Sequence, residues 1–392
     1  MALNSNISIQ RSVGPSALRI CYPMAVTWKN STIILGGYRG DGGDGTNPMS
    51  TVYCHLRGTW TSQETSGESP MQNQWAHVIN AKIYVMDKND NGDIVIRSLD
   101  PKTWMWTMLT PSGTSPLPTS HNPTSWIHDG TIYYFGGGAS IQHLTNQLVC
   151  YKISKNSWEW PSMGGDIPSP RANHLMTISG TTVFLFGGMG TDHDRNNDLY
   201  ILDLPSMRWR VVHGNISRGE APQIYHSYEY TLTCITQSTA VLFGHRHDLW
   251  LLNLTNAKQE TNPSLIWTKM ALNCPRYCHA AVLQPLSKRL WIIGGIEKGR
   301  ISSEVLKINF MKLSPLKDLA IDNVARNMCA HDPRLAPDQL SRQLRYEIEA
   351  YRCEIGDQYS CPEEDWRKGV CPLEERRKSE GLLLLENIKI DV

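Results

Sequence analysis

The sequence predicts an all-β protein whose strands form a six-bladed β-propeller, and three observations support this prediction. A Gly-Gly pair, or its remnant, follows an apolar stretch at six places, with first positions 36, 86, 136, 187, 244 and 294. The intervals are 50, 50, 51, 57 and 50 residues, and a tryptophan follows each of the first five places after 20 to 24 residues. Four short strands in a repeat of about 50 residues are typical of a propeller blade.

The repeats keep this pattern to different degrees. The glycine pair is complete in TIILGGY, IYYFGGG, VFLFGGM and LWIIGGI, half kept in VLFGH, and replaced by Met86 and Asp87 in KIYVMD. Glycine allows the chain to bend where a neighbouring backbone leaves no room for a side chain. Tryptophan supplies a large apolar area between blades. The five tryptophans at this place are Trp60, Trp106, Trp158, Trp209 and Trp267.

The sixth repeat lacks its last strand, and the N-terminal segment supplies it. YCHAAVL, LWIIGG and EVLKINF provide three strands, whereas ISIQRSVGPSALRICYP is similar to the end of one repeat and the start of the next. Placing residues 7–11 in blade six closes the ring and removes two exposed sheet edges. The predicted propeller therefore spans about residues 5–311.

Composition and charge exclude several classes of function. The 392 residues are 40% apolar and 19% charged, with a net charge of +1, which gives no global field to attract nucleic acid or an anionic membrane. No apolar stretch approaches the roughly 18 to 20 residues needed to span a bilayer, and the start has no secretion signal pattern. We therefore expect a cytoplasmic or nuclear protein. Its ten irregularly spaced cysteines should be reduced and mostly buried.

The chain changes character after the propeller. Ser314 and Pro315 form a good helix start, and a second helix should begin near Pro337. Two short amphipathic helices do not fold alone, so their apolar stripes should pack on the propeller, on each other or on a partner. The first stripe contains Leu316, Leu319, Ala320 and Val324, and the second contains Leu340, Leu344, Ile348 and Tyr351.

The segment 312–351 resembles the elongin box and cullin box of cullin-RING ligase substrate receptors. Kelch repeats, which have a period near 50 residues, precede such boxes in the receptors of cullin-2 and elongin B and C ligases. The elongin-box-like motif PLKDLAIDNV contains Pro315, Leu316, Ala320 and Val324, and the cullin-box-like LAPDQLSRQL contains Pro337, Leu340 and Leu344.

This resemblance implies a substrate receptor without catalytic activity. Its partners would be elongin B and C and cullin-2, and its propeller would bind the C-terminal peptides of substrate proteins. Ala320 departs from the cysteine usual in the elongin box, which predicts elongin binding weaker by about 1 kcal/mol. The single proline, Pro337, fits cullin-2 better than cullin-5.

A peptide carboxylate requires arginine forks and other donors in a partly dry pocket. Arg171 and Arg276 each lie within a P-R-x-x-H motif. For these two arginines, a structural role between blades is as open an interpretation as peptide binding. Loops that follow the glycine pairs offer Tyr38, Arg39, Arg195, His245, Arg246 and Arg300, and loops that enter the blades offer Arg171, Tyr225 and Arg276.

Other interpretations are weaker but stay open. No hydrolase elbow, phosphate loop or metal-binding helix motif is present, so we predict no enzyme and no cofactor. Cys353, Cys361 and Cys371 could bind zinc together with Cys329 or His331, although their spacings match no CxxC pair. The helices of residues 314–351 could instead be a structural cap on a non-ligase scaffold. No role is assigned to residues 352–392.

Overall fold

The computed structural model confirms the six-bladed propeller. It describes residues 7–14, 19–29, 31–39, 51–56, 59–70, 75–116, 123–191, 197–212, 222, 230–244, 248–259, 265–272, 274–284 and 287–310. The predicted helical segment 312–351 and the extension 352–392 lie outside these residues. Each blade is a sheet with four antiparallel strands.

The strands follow the predicted repeat. The N-terminal segment forms β1 (Ile7–Val13) and β2 (Ile20–Cys21). Blade one holds β3 (Met24–Trp28), β4 (Ser31–Leu35), β5 (Tyr38–Arg39), β6 (Thr51–Leu56) and β7 (Thr59–Glu64), of which β5 pairs with β2. Blade two holds β8 (Ser66–Gly67), β9 (Ala76–Ile79), β10 (Lys82–Lys88), β11 (Ile94–Asp100) and β12 (Met105–Leu109). Blade three holds β13 (Thr124–His128), β14 (Thr131–Phe135), β15 (Leu148–Lys152) and β16 (Ser157–Glu159).

The second half of the ring has the same plan. Blade four holds β17 (Gly164–Gly165), β18 (Leu175–Ser179), β19 (Thr182–Phe186), β20 (Leu199–Asp203) and β21 (Arg208–Val212). Blade five holds β22 (Tyr230–Thr236), β23 (Thr239–Gly244), β24 (Asp248–Asn253) and β25 (Trp267–Ala271). Blade six holds β26 (Ala280–Leu283), β27 (Leu290–Ile293), a hairpin of β28 (Ile296–Glu297) and β29 (Arg300–Ile301), and β30 (Glu304–Phe310). The described helices are α1 (Leu254–Lys258) and a 3₁₀ turn (Ile141–His143).

The N-terminal strand closes blade six, as the sequence predicts. β1 pairs antiparallel with β30 over seven residues, from Ile7 opposite Phe310 to Val13 opposite Glu304. The strand is two residues longer than predicted from the pattern. Blade six is therefore built from both ends of the propeller, in the order β1, β30, β27 and β26.

An apolar cluster fills each of the six spaces between neighbouring blades. Three of the five repeat tryptophans, Trp106, Trp158 and Trp209, are buried in these clusters, as the pattern predicts. Because a cluster also joins the last blade to the first, the ring is closed by packing as well as by strand pairing. That cluster contains Ile20, Ile34, Tyr53, Val282, Trp291, Ile293 and Val305.

The glycine pairs lie where the backbone of the next blade comes close. Gly136 has φ +71°, and a Cβ there would lie 2.5 Å from the carbonyl oxygen of Arg171 in the segment entering blade four. Gly294 has φ +63°, and its Cβ would lie 2.5 Å from the carbonyl oxygen of Ile20. Both the backbone conformation and the space therefore require glycine. In blade two, where the glycines are absent, buried Asp87 accepts a 2.7 Å hydrogen bond from Arg97 Nε.

The up-and-down strand order places two sets of loops on the same side of the ring. The first strands of adjacent blades contact each other around the centre. Since strands within a blade alternate in direction, the loop after each second strand and the loop after each fourth strand reach the same face. We call this side, which carries the glycine pairs, the Gly-Gly face.

The two P-R-x-x-H motifs place a histidine against the preceding blade. His174 packs edge-on to Phe135, and His279 packs edge-on to Phe243. Burial, together with the charge of the nearby arginine, lowers the pKa of each histidine to about 3. Both imidazoles are therefore neutral in the folded protein at any pH near neutrality.

These histidines should make folding sensitive to mild acid. The unfolded chain takes up their protons near pH 6.5, whereas the folded chain does not, so stability falls as the pH drops from about 6.5 towards 3. Each histidine should cost about 1.4 kcal/mol per pH unit in this window. His174→Leu should remove one such contribution, measured as the change in urea unfolding between pH 7.5 and 5.5. Exposed His143→Leu is the matched control, and an unchanged pH dependence in His174→Leu would contradict the assignment.

Candidate functional site

The Gly-Gly face carries the described members of the predicted peptide site. Tyr38 is 61% exposed, and Arg300 on the blade-six hairpin is also exposed. Arg39 pairs through its backbone with Ile20. Other predicted site residues lie outside the described residues: Arg195, Tyr225, His245 and Arg246, and the box residues Pro315, Leu316, Ala320, Val324, Pro337, Leu340 and Leu344.

Arg171 is buried and braces blade four. Its guanidinium donates to the carbonyl oxygen of Gly187 at 2.9 Å and to Asp198 Oδ1 at 2.8 Å. It also donates to Ser169, and it lies over the ring of Tyr200. These contacts join the entering segment, the glycine pair and the start of the third strand. The side chain of Arg171 therefore has a structural role, but within blade four and not between blades as the sequence suggested.

Arg276 has the same role in blade six, where it is fully buried. Its Nη1 donates to the carbonyl oxygen of Glu304 at 2.7 Å, and its Nη2 donates to Glu297 Oε2 at 2.6 Å. Arg11 on the closing strand donates to the carboxylates of the same two residues, at 2.8 Å to Glu304 Oε2 and 3.3 Å to Glu297 Oε1. This four-residue cluster therefore binds the N-terminal strand to the rest of the blade.

The charges of this cluster determine how Glu297 titrates. Burial by itself raises the pKa of this carboxyl group, but its hydrogen bond with Arg276 and the charges of Arg276 and Arg11 outweigh that effect. The pKa of Glu297 is therefore lowered, and the group is ionised at neutral pH. Two carboxylates and two guanidinium groups thus neutralise one another at the edge of blade six.

A cleft opens beside this cluster on the Gly-Gly face. It has a volume of about 570 Å³ and lies between the N-terminal segment and the loop after β27. Apart from Arg300, the sequence analysis selected none of its lining residues. We call it the blade-six cleft; its lining residues are Arg11, Arg19, Glu297, Lys298, Arg300, Ile301, Ser302, Ser303 and Glu304.

The chain segment that follows Arg19 lies in the seam between blades six and one. Ile20 accepts a hydrogen bond from the backbone N–H of Gly295 at 2.7 Å and pairs with Arg39 on its other side. Cys21 pairs with Tyr38, so the segment after Arg19 connects the two glycine loops. Tyr22 and Tyr38 are 46% and 61% exposed on this seam.

The sequence contained signals for the residues that were missed. Asp198 follows Arg171 by 27 residues, and Glu304 follows Arg276 by 28, so each P-R-x-x-H arginine has an acidic partner at the start of a third strand. Gly299, between two isoleucine-containing segments, is a signal for a turn. Arg11 and Arg19 carry no such local signal.

The described part of the chain contains no group of three or more potential metal ligands. The cysteines of the possible zinc site lie outside that part. The cysteines in the described part of the chain are free thiols, and all but Cys234 are buried. Its helices are too short and too polar to cross a lipid bilayer.

Six blades closed by an N-terminal strand, with glycine pairs against the next blade, define a Kelch-repeat propeller, which is typically a protein-interaction module. The chain belongs to the KLHDC2/KLHL20/DRC7 Kelch-repeats domain family, whose model matches residues 22–245 and 87–295. Protein partners are therefore the expected ligands of this fold.

Comparison with individual proteins agrees with this assignment. Acyl-CoA-binding domain-containing protein 4 of Arabidopsis thaliana is 26% identical over 278 residues, which cover 65% of this chain and 39% of that protein. Kelch domain-containing protein 1 of Mus musculus is 28% identical over 277 residues, which cover 61% of this chain and 65% of that protein. The chain thus spans less than two thirds of either relative.

A solved structure supports the fold alone. The structure of YjhT matches with a TM-score of 0.54 and 15% identity, covering 76% of this chain and 96% of that chain. Similarity at this level concerns the arrangement of the blades and carries no information on the ligand.

Proposed function

We propose that the protein is a substrate-recognition subunit of a cullin-2 ubiquitin ligase that binds the C-terminal peptides of its substrates. The observation that carries the proposal is the tail motif. The last propeller strand ends at Phe310, and the elongin-box-like motif begins five residues later at Pro315, followed by the cullin-box-like segment from Pro337. The tail also resembles that of kelch domain-containing protein 3.

The propeller supports the proposal as a rigid platform. Tyr38 and Arg300 are exposed on the Gly-Gly face, where they can contact a peptide, and arginine and tyrosine are enriched at the energetic centres of protein interfaces. Binding a substrate there and a ligase through residues 314–351 would hold a substrate lysine near the ubiquitin-conjugating enzyme. The contribution to the reaction is proximity, with no chemistry on this chain.

The elongin interaction is the first test. Purified protein should bind elongin B and C, and the resulting complex should bind cullin-2. In the cell, we place this assembly in the cytoplasm or nucleus. Leu316→Ser should reduce elongin affinity at least about tenfold because it removes a large apolar side chain from the elongin-box-like motif. Ala320→Cys should tighten binding several-fold by restoring the usual small apolar group.

Lys317→Ser is the matched control because Lys317 is next to Leu316 but outside the apolar stripe. Equal binding by Leu316→Ser and the unchanged protein would overturn the proposal. Absence of elongin binding, together with loss of propeller stability in Leu316→Ser, would instead make the tail a structural cap. The protein would then be a non-ligase Kelch scaffold.

A further inference from the structure

We infer that the blade-six cleft binds an acidic segment of a partner peptide through Arg19, Lys298 and Arg300. The cleft lies on the exposed Gly-Gly face and has a volume of about 570 Å³, enough for a few peptide side chains. The inference deepens the proposed peptide recognition, on which it rests for the expectation that this propeller binds peptides. It adds a determinant within the peptide, distinct from a C-terminal carboxylate.

The charge balance of the cleft selects an anionic ligand. Its own carboxylates, Glu297 and Glu304, already accept hydrogen bonds from Arg11 and from buried Arg276. Among the described residues, the other cations of the cleft have no hydrogen-bonded or ion-pair partner. The cleft with its buried arginine therefore has five cationic and two acidic side chains, a net charge of +3.

The hairpin that carries two of these cations is rigid. Lys298 and Gly299 form its two-residue turn with φ +50° and +74°, the left-handed values that match the twist of an antiparallel pair. Glu297 lies directly opposite Arg300 in the pairing. Buried Arg276 holds Glu297 from below. The backbone positions of Lys298 and Arg300 are therefore set before a ligand arrives, which reduces the entropy lost on binding.

Arg19 is held against the same loop from the opposite side. Its neighbour Ile20 is buried, accepts a hydrogen bond from Gly295 and pairs with Arg39. Arg19 and Arg300 thus approach the cleft from two segments that are far apart in the sequence. A peptide with neighbouring carboxylates could contact both, and arginine binds carboxylates through paired hydrogen bonds.

The adjacent seam suits an apolar residue of the same peptide. Tyr22 is exposed on the segment that follows Arg19, and Tyr38 is exposed on β5, which pairs with that segment. Tyrosine provides a large contact area while losing little conformational entropy. The expected ligand is therefore an acidic segment with at least one large apolar side chain. A free anion would use only part of this surface.

The test uses the full chain and a fluorescent peptide, Glu-Glu-Leu-Glu-Glu, acetylated and C-terminally amidated, with Gln-Gln-Leu-Gln-Gln as its uncharged partner. The protein should bind the glutamate peptide at least about tenfold more tightly by fluorescence anisotropy, and affinity should fall as salt is raised from about 50 to 200 mM. The double variant Lys298→Ala, Arg300→Ala and the single variant Arg19→Ala should each lose about tenfold in affinity.

A double variant with the same loss of charge elsewhere, Lys88→Ala, Lys102→Ala, should bind as the unchanged protein does; both lysines are exposed on blade two. Equal binding of the two peptides, no binding of either, or equal losses in both double variants would overturn the inference. The peptide is amidated and elongin is absent from the assay. Preferential binding of the glutamate peptide would therefore support this inference even if the protein did not assemble with a ligase. If a peptide with a free C-terminus bound and the amidated glutamate peptide did not, the proposed function would be supported and this inference overturned.

Discussion

Deleting residues 1–13 should lower the free energy of unfolding by about 3 to 5 kcal/mol and cause the chain to self-associate. The deletion removes β1, and with it the seven residues that pair with Glu304–Phe310. Ile7 and Ile9 also pack against the cluster between blades five and six. A seven-residue edge of unpaired backbone would then be open to another chain.

Complementation with a peptide is the sharpest measurement of this effect. A synthetic peptide with the sequence SNISIQRSVG should restore the thermal unfolding midpoint of the shortened chain and suppress its self-association. Successive side chains in a strand point to opposite faces, so the same peptide with Ile9→Lys should fail, whereas Ser8→Lys should succeed because Ser8 is exposed. Full stability of the shortened chain without peptide would refute closure by this strand.

The repeat was predictable because its signals are local and occur several times. Each glycine pair follows a strand, and at least one of its glycines, such as Gly136, lies where a neighbouring segment leaves no room for a side chain. Closure of blade six was predictable because the sixth repeat lacked its last strand, and the N-terminal segment was similar to that strand. Neither inference needed the identity of a long-range contact.

The blade-six cleft was not predicted, because closure by residues 7–11 specifies which strands pair but not which side chains meet where they end. Arg11 and Glu304 are 293 residues apart in the sequence and 2.8 Å apart in the structure. The same closure brings Arg19 to the hairpin of Arg300. Residue type alone also failed to separate buried Arg276 from exposed Arg300, because a guanidinium suits a structural brace and a peptide site equally well.

The difference between these two arginines has a measurable consequence for stability. Arg276→Met should lower the free energy of unfolding by about 2 to 4 kcal/mol, because it leaves Glu297 and the carbonyl oxygen of Glu304 without their buried donor. Arg11 still donates to the carboxylates of Glu297 and Glu304 in this variant, and the Glu304 side chain can turn towards water. The expected loss is therefore below the largest values known for broken buried ion pairs.

Arg300→Met is the matched control, since it makes the same chemical change at an exposed arginine on the hairpin of the same blade. It should alter stability by less than about 0.5 kcal/mol while weakening binding of the acidic peptide. Urea unfolding and peptide anisotropy on both variants separate the two roles. If Arg276→Met were as stable as Arg300→Met, the brace would be wrong and the buried guanidinium would need another explanation. If Arg300→Met bound the acidic peptide normally, Arg300 would have no part in recognising it.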